Sequence, residues 1–471
     1  MKPKNGVGWN VQAKEKRSCT TLCRNGEKMS RKKQRNLGSL DWRRTLLVTL
    51  PFAGALAFWQ SYDGIIPLIL RDTFHVGDTL AGAIMALDNV CALFLLPLFG
   101  SISDRCHSRL GRRTPFIIIG SLLAALLIPL LAVADQLANL PMFFCVLCLL
   151  LVVLSSYRSP CVALMPDVTP RPIRAKADAF NSLMAAAAGI VVLVSISLTV
   201  PDVEHPSYLP VFLIVSGLIV LCTVVFVLFF REKKAVNEMH RESIAMGIPV
   251  EEIDASEEGG REKESDPTVR KSLIAILLCV FLYFMASNAV TSAFSKYASQ
   301  VWGAGGGSFA NFQLVATLVT LISYMPMAAL SCRIGRKITT YIGISLMCLG
   351  GLCIFLTQGY SPMIYVWVSI SGIGMGTVAT TVYPMIMEVA SERTTGRYTG
   401  YYYTASMFAQ IVTPILSGAV MEFIGYRYLY LYAVACAILA ALPLFFVKKG
   451  NTILLKDLKP NVSVNAVSTE M

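Results

Sequence analysis

Three ionisable residues stand inside long apolar runs: Asp63 in "FWQSYDGIIP", Asp88 in "MALDNVCALF" and Arg158 in "LSSYRSPCVAL". An ionisable group within a membrane span is costly and marks a functional position by default. The chemistry open to two carboxylates and a guanidinium is reversible protonation. Low dielectric pushes a carboxylate toward its neutral form, and a nearby arginine pushes it back. A motion that changes their separation then ties proton binding to conformational change. Asp63 is the leading candidate and Asp88 the second, with Arg158 as the facing charge. The competing reading is a static buried salt bridge that sets helix register.

Helices must position these groups. The chain has 471 residues, 55% hydrophobic and 15% charged, where soluble proteins carry about 25% charged residues. A bilayer core of about 30 Å takes roughly 20 apolar residues per helix. Lipid offers no partner to bare backbone groups, so the spans are helical. The reading is an all-α membrane protein with twelve transmembrane helices, at 45–70, 79–102, 115–134, 141–163, 176–199, 208–230, 271–295, 309–330, 338–357, 361–387, 398–421 and 426–447. A polar connection at 231–270 separates an N-terminal six-helix bundle, 45–230, from a C-terminal one, 271–447. Tails occupy 1–44 and 448–471.

The halves echo each other. "RLGRR" at 109–113 returns as "RIGRK" at 333–337, and "LMPDV" at 164–168 returns as "MIMEV" at 385–389. The offsets are 224 and 221 positions, as expected of two six-helix pseudo-repeats. Repeats around a midplane binding site are a common plan for secondary transporters.

Basic residues gather in the N-tail, 103–114, 165–176, the central linker, 331–337, 388–397 and the C-tail. The opposite loops are expected to hold only Arg71, Lys296 and Arg427. Lysine and arginine favour the cytoplasmic side, so both termini are expected there, in a multi-pass protein of the cell membrane. The net charge of +12 therefore reads as topology and headgroup contact, not nucleic-acid binding. The 13 cysteines lack zinc-like spacing and read as small packed hydrophobes. "SGIGMGTVATT" lacks the strand and lysine of a nucleotide loop. No catalytic triad, metal cluster or cofactor motif appears, so an enzyme is not expected.

"SDRCHSRLGRRTPF" at 103–116 packs four arginines into one short connection. Glycine permits a tight turn there, and arginines can reach carboxylates and helix C-terminal carbonyls of the neighbouring bundle. The expected cytoplasmic gate comprises Asp104, Arg105, Arg109, Gly111, Arg112, Arg113 and Asp167, with Arg333, Gly335, Arg336, Lys337 and Glu388 as counterparts. A plain positive-inside anchor is the alternative.

Asp-Arg followed by Arg-x-Gly-Arg-Arg resembles the second–third loop signature of the major facilitator superfamily. The expanded form, with "YRSPCVALMPDVTPRPIRAKADAFNSL" at 157–183 and "WQSYDGIIP" at 59–67, resembles the sucrose–proton symporters and the wider glycoside–pentoside–hexuronide cation symporters. Two departures stand out. Val162 occupies a place where the plant sucrose carriers have arginine, with Arg158 one helical turn earlier. Leu95 and Leu96 precede Pro97, where sodium-coupled melibiose-type carriers have carboxylates.

The resemblance implies the major facilitator fold and alternating-access symport of a sugar or glycoside, disaccharide-like, with a proton. A sugar site needs amides, hydroxyls and an aromatic platform. Trp59, Gln60, Tyr62, Asn89, Asn181, Asn288, Gln313, Tyr324 and Gln410 supply that mixture. Interhelical polar contact is the alternative for each. The partners implied are a small solute, a coupling cation and the bilayer, with a monomer sufficient. An exporter of drugs or metabolites, or a solute sensor that does not transport, are the other functions open.

Overall fold

A computed structural model describes residues 41–170, 173–203, 205–246, 267–357, 359–389 and 395–447. The N-terminal half comprises α1 (Trp42–Asp72), α2 (Asp78–Asp104), α3 (Thr114–Gln136), α4 (Leu140–Asp167), α5 (Arg174–Thr199) and α6 (Leu209–Phe229). A connecting helix follows, α7 (Glu232–Ala245). The C-terminal half comprises α8 (Pro267–Trp302), α9 (Phe309–Ile334), α10 (Arg336–Leu356), α11 (Met363–Val389), α12 (Thr395–Phe423) and α13 (Leu429–Leu444), the last led in by a 3₁₀ turn at Tyr426–Tyr428. The expected tails, except residues 41–44, and linker residues 247–266 lie outside the described residues.

Local chemistry sets several helix ends. Asp41 caps α1 by accepting from the amides of Arg43 and Arg44, and Asn139 caps α4 by accepting from Met142. Such caps satisfy otherwise orphaned donors. Gly335, at φ 94°, turns the chain between α9 and α10 in a conformation that favours glycine.

Among the described residues, eleven helices are long and apolar enough to cross a membrane. The remaining long helix, α1, is interrupted by Gln60, Ser61 and Asp63. It packs against α4, α5, α6 and α8 and so completes a bundle of twelve. The repeat is visible in the packing. In the N-terminal half α1 packs on α5 and α6, α3 on α4 and α6, and α2 on α4. In the C-terminal half α8 packs on α12 and α13, α10 on α11 and α13, and α9 on α11. The halves meet through α1 with α8, α2 with α12, and α5 with α9, a pairing that a two-fold axis between them would generate.

The two ends differ. One core cluster fills the N-terminal half and continues into the other through Phe294, Tyr297, Trp302, Phe309 and Tyr430, all at the end away from the basic loops. A second cluster, including Ile276, Val280, Val378 and Ala437, fills the rest of the C-terminal half. The halves are fused into one core at that far end and have separate cores toward the basic end. Tyr401 and Tyr403, at the basic end of α12, are exposed.

One placement from sequence needs correction. Arg71 lies in the last turn of α1, Arg427 in the 3₁₀ turn, and Lys296 inside α8. None of the three is in an open loop. Helix α8 continues to Trp302 because its end is held by aromatic packing. Tyr297 meets Trp302 at 5.2 Å and Tyr430 at 4.8 Å between ring centres, both edge to face.

Candidate functional site

A polar cluster lies in the N-terminal half, near the middle of three helices. The Trp59 indole N–H donates to Asp88 Oδ2 at 3.1 Å. The guanidinium carbon of Arg158 lies 4.6 Å from the centre of the Trp59 ring, a cation–π placement. Asn89 donates to Asp88 Oδ1 through its backbone amide and side-chain amide, at 2.6 and 2.7 Å. Arg158 makes no ion pair with either aspartate among the described residues. Trp59 instead touches both the Asp88 carboxyl and the Arg158 guanidinium. Asp63 lies four residues, about one turn, beyond Trp59 on α1 and forms no hydrogen bond or ion pair among the described residues.

A cavity of roughly 310 Å³ lies in the C-terminal half, walled by α8, α9 and α11 and touched by Ala186 of α5. Volumes of about 300–1,000 Å³ are typical of small-molecule sites. On α9 the cavity is lined by Gln313, Thr317, Thr320 and Tyr324, spaced so that they share one helical face. Thr317 and Thr320 donate back to the carbonyls of Gln313 and Ala316, both at 2.7 Å, which leaves their oxygens as acceptors. The Tyr283 hydroxyl donates to the Met375 carbonyl at 2.9 Å. Glycine makes room across the wall: a Cβ on Gly376 would stand 2.8 Å from both Thr320 and Tyr324. No charged side chain is among the lining residues.

The sequence-derived candidates therefore fall into groups. Trp59, Asp88, Asn89 and Arg158 converge, and Gln313 and Tyr324 share the cavity. Tyr62 is fully buried, its hydroxyl donating to the Met85 carbonyl at 3.3 Å. Gln60 faces α5 at Gly189. Asn181 is half-buried near the start of α5. Asn288 buries an Oδ1 with no partner among the described residues, and Gln410 donates to the Ser406 carbonyl at 3.3 Å. None of these five lines the cavity. Thr317 and Thr320 escaped the sequence reading, although their spacing from Gln313 carried the signal.

The basic end holds two networks. Arg113 bonds Asp104 at 2.7 Å, Asp167 at 2.6 Å and the Ser103 hydroxyl at 2.9 Å, while Arg112 reaches Asp167 at 3.2 Å. In the other half Arg336 pairs with Glu388 at 2.9 Å, and Lys337 donates to the Val447 carbonyl at 3.1 Å. Each of these contacts stays within its own half, rather than reaching across as the loop sequence alone suggests. Arg105, Arg109 and Arg333 are exposed.

The sequence reading also missed Glu232 of α7. It accepts from the amides of Arg112, Arg113 and Thr114 at 2.7, 3.1 and 2.9 Å, and from the Thr114 hydroxyl at 2.7 Å. Gly111, at φ 132°, lies against it; a Cβ there would be 2.1 Å from Glu232 Oε2. Nothing local marks Glu232, because its partners lie over a hundred residues earlier in the chain.

The family described as MFS/sugar transport protein matches residues 49–430. Among solved structures, the chain is similar to the xylose transporter XylE of E. coli in an inward-open conformation. The TM-score is 0.64 at 14% identity, over 86% of this chain and 96% of that one. A bacterial homologue of the human lysosomal transporter Spinster, inward-facing and occupied, also gives 0.64 at 14% identity, over 87% and 97% of the two chains. Among curated proteins, the MFS-type efflux pump LUC4 of Fusarium is 26% identical over 193 residues, 39% of this chain and 33% of that protein. The alpha-ketoglutarate permease of Escherichia coli is 30% identical over 136 residues, 28% and 30% of the two chains. The chain thus spans about a third of the length of these curated relatives.

Proposed function

This chain belongs to the MFS/sugar transport family, and from that premise we propose that it is a proton-coupled symporter of a sugar or glycoside, working by alternating access. The observation that carries this reading is a division of labour between the halves. The cavity of the C-terminal half offers an amide, hydroxyls and rings, with no charge on its walls. That suits a neutral, hydroxyl-rich solute whose faces stack on rings and whose edges take hydrogen bonds. The N-terminal half carries Asp63, Asp88 and Arg158 around Trp59. That suits a coupling ion, since embedded charges of this kind serve ion pathways.

The proposed cycle uses both parts. The solute binds α9 through Gln313, Thr317, Thr320 and Tyr324. A proton binds at Asp63 or Asp88. Trp59 feels the protonation of Asp88 through its N–H and the position of Arg158 through its ring. The halves then rock about α1–α8, α2–α12 and α5–α9. The basic end faces the cytoplasm in this reading, by the lysine and arginine asymmetry, with both termini on that side of the cell membrane and one chain sufficient. The networks of Arg113 with Asp104 and Asp167, and of Arg336 with Glu388, brace each half there as it moves.

A second reading, export of an apolar metabolite or drug, draws on Val290, Phe294, Leu321, Val368 and Met375 in the cavity wall and on the similarity to an efflux pump. Purified protein in liposomes separates the two. A panel of labelled mono- and disaccharides is offered under an imposed pH gradient. Accumulation of a glycoside that a protonophore collapses is expected. No sugar uptake under proton or sodium gradients would overturn the symport reading and favour export.

A further inference from the structure

We propose that Asp78, Lys296 and Tyr426 form a cross-half latch that holds the end away from the basic loops closed, and so determines which end of the carrier is open. Lys296 of α8 donates to Asp78 Oδ1 at 2.7 Å, and the Tyr426 hydroxyl donates to Oδ2 at 2.5 Å. The lysine and aspartate side chains are only 4% and 8% exposed. Asp78 belongs to the N-terminal half and its two donors to the C-terminal half. Both bonds therefore cross the surface along which the halves must part.

Further cross-half contacts surround this point. Glu422 of α12 accepts from the Thr79 amide at 2.8 Å. Arg71, forked on its neighbour Asp72, also donates to the Ser299 hydroxyl at 3.3 Å. The backbones touch there too: a Cβ on Gly82 would meet the Pro414 carbonyl oxygen at 2.0 Å, and one on Gly418 the Asp78 carbonyl oxygen at 2.3 Å. The charged groups facing Asp78 among the described residues are thus Lys296 of α8, Arg71 of α1 and Glu422 of α12.

A buried ion pair adds little net stability over apolar packing, and its best-attested use is in specifying one arrangement or switching between two. If the ends of the halves separate, both charges recover their hydration, so the closed and open states stay close in free energy. Packing with leucine would hold the end shut. The Ser295 hydroxyl, beside Lys296, is buried with no partner among the described residues. It too gains hydrogen bonds to water on opening. This surface has the composition of one that is dry in one state and wet in the other.

Hydrogen–deuterium exchange on the full chain in lipid nanodiscs tests the latch without any solute, so its outcome is independent of the substrate reading. Lys296→Met leaves a buried unpaired carboxylate. Expected is faster exchange over 78–86 and 414–423 and slower exchange over 98–104 and 400–408, as the open end switches. Tyr426→Phe, a mild change, should move both sets of segments the same way by less. Exchanging the pair, Asp78→Lys with Lys296→Asp, should restore the wild-type pattern. Unchanged exchange at both ends, or faster exchange at both, would assign the pair a merely structural role.

Discussion

Trp59 touches both an aspartate and an arginine, through two different parts of one side chain. The indole N–H serves Asp88 and the ring face serves Arg158. Asp63, one turn away, has neither contact, and in the proposed cycle it is the first candidate to take up the proton. Asp63→Asn is therefore expected to abolish accumulation against a gradient while preserving solute exchange across the bilayer, measured by counterflow. Accumulation at the wild-type level would remove Asp63 from the coupling role. In the cavity, Thr320→Val removes one acceptor with little change of shape. A hydrogen bond contributes about 0.5–1.5 kcal/mol net, so KM should rise roughly two- to tenfold while the maximal rate holds, the signature of uniform binding. An unaltered KM would remove Thr320 from the solute site. The embedded charges were legible in the sequence because charge within an apolar run is conspicuous. Their arrangement was not: nothing in "FWQSYDGIIP" says that Trp59 would stand between Asp88 and Arg158.

The helices differ in how much of their role the chain discloses. Their approximate spans follow from hydrophobic length alone, and "QLVATLVTLISY" carries its polar face openly in the spacing of Gln313, Thr317, Thr320 and Tyr324. The end of α8 was hidden, since Lys296 reads as the start of a loop until the packing of Tyr297 and Trp302 is seen. The docking of α7 was hidden for a similar reason, being a contact between segments far apart in sequence. Glu232 caps the start of α3 with a buried carboxylate, and Glu242 further along α7 pairs with Arg44 of α1 at 2.7 Å. Glu232→Ala leaves three amides without that partner, a cost of about 1–3 kcal/mol for a buried donor left unsatisfied. A lower melting temperature of the protein in detergent is expected, with solute affinity unchanged. Gly111→Leu adds a side chain where none fits, and should slow turnover more than it changes KM. An unaffected maximal rate would leave the loop as an anchor only.

At the scale of the whole molecule, duplication does most of the work. The same helix pairings recur in both halves, and the paired motifs at 109–113 and 333–337 already announce them in the sequence. The sequence is silent on how the duplicates diverged. The described structure gives the solute-sized cavity to one half and the embedded carboxylates to the other, and it closes the molecule at the end where Asp78 meets Lys296. In the proposed symport, solute and proton would then act on a shared rocking motion, not on a shared pocket. The most direct measurement is solute-driven proton movement in reconstituted vesicles without an imposed gradient. A glycoside taken up by the wild type should alkalinise the external medium, and Asp63→Asn should bind it without moving protons. Glycoside uptake by the wild type with no pH change, or an equal pH change with Asp63→Asn, would contradict coupling through the N-terminal half.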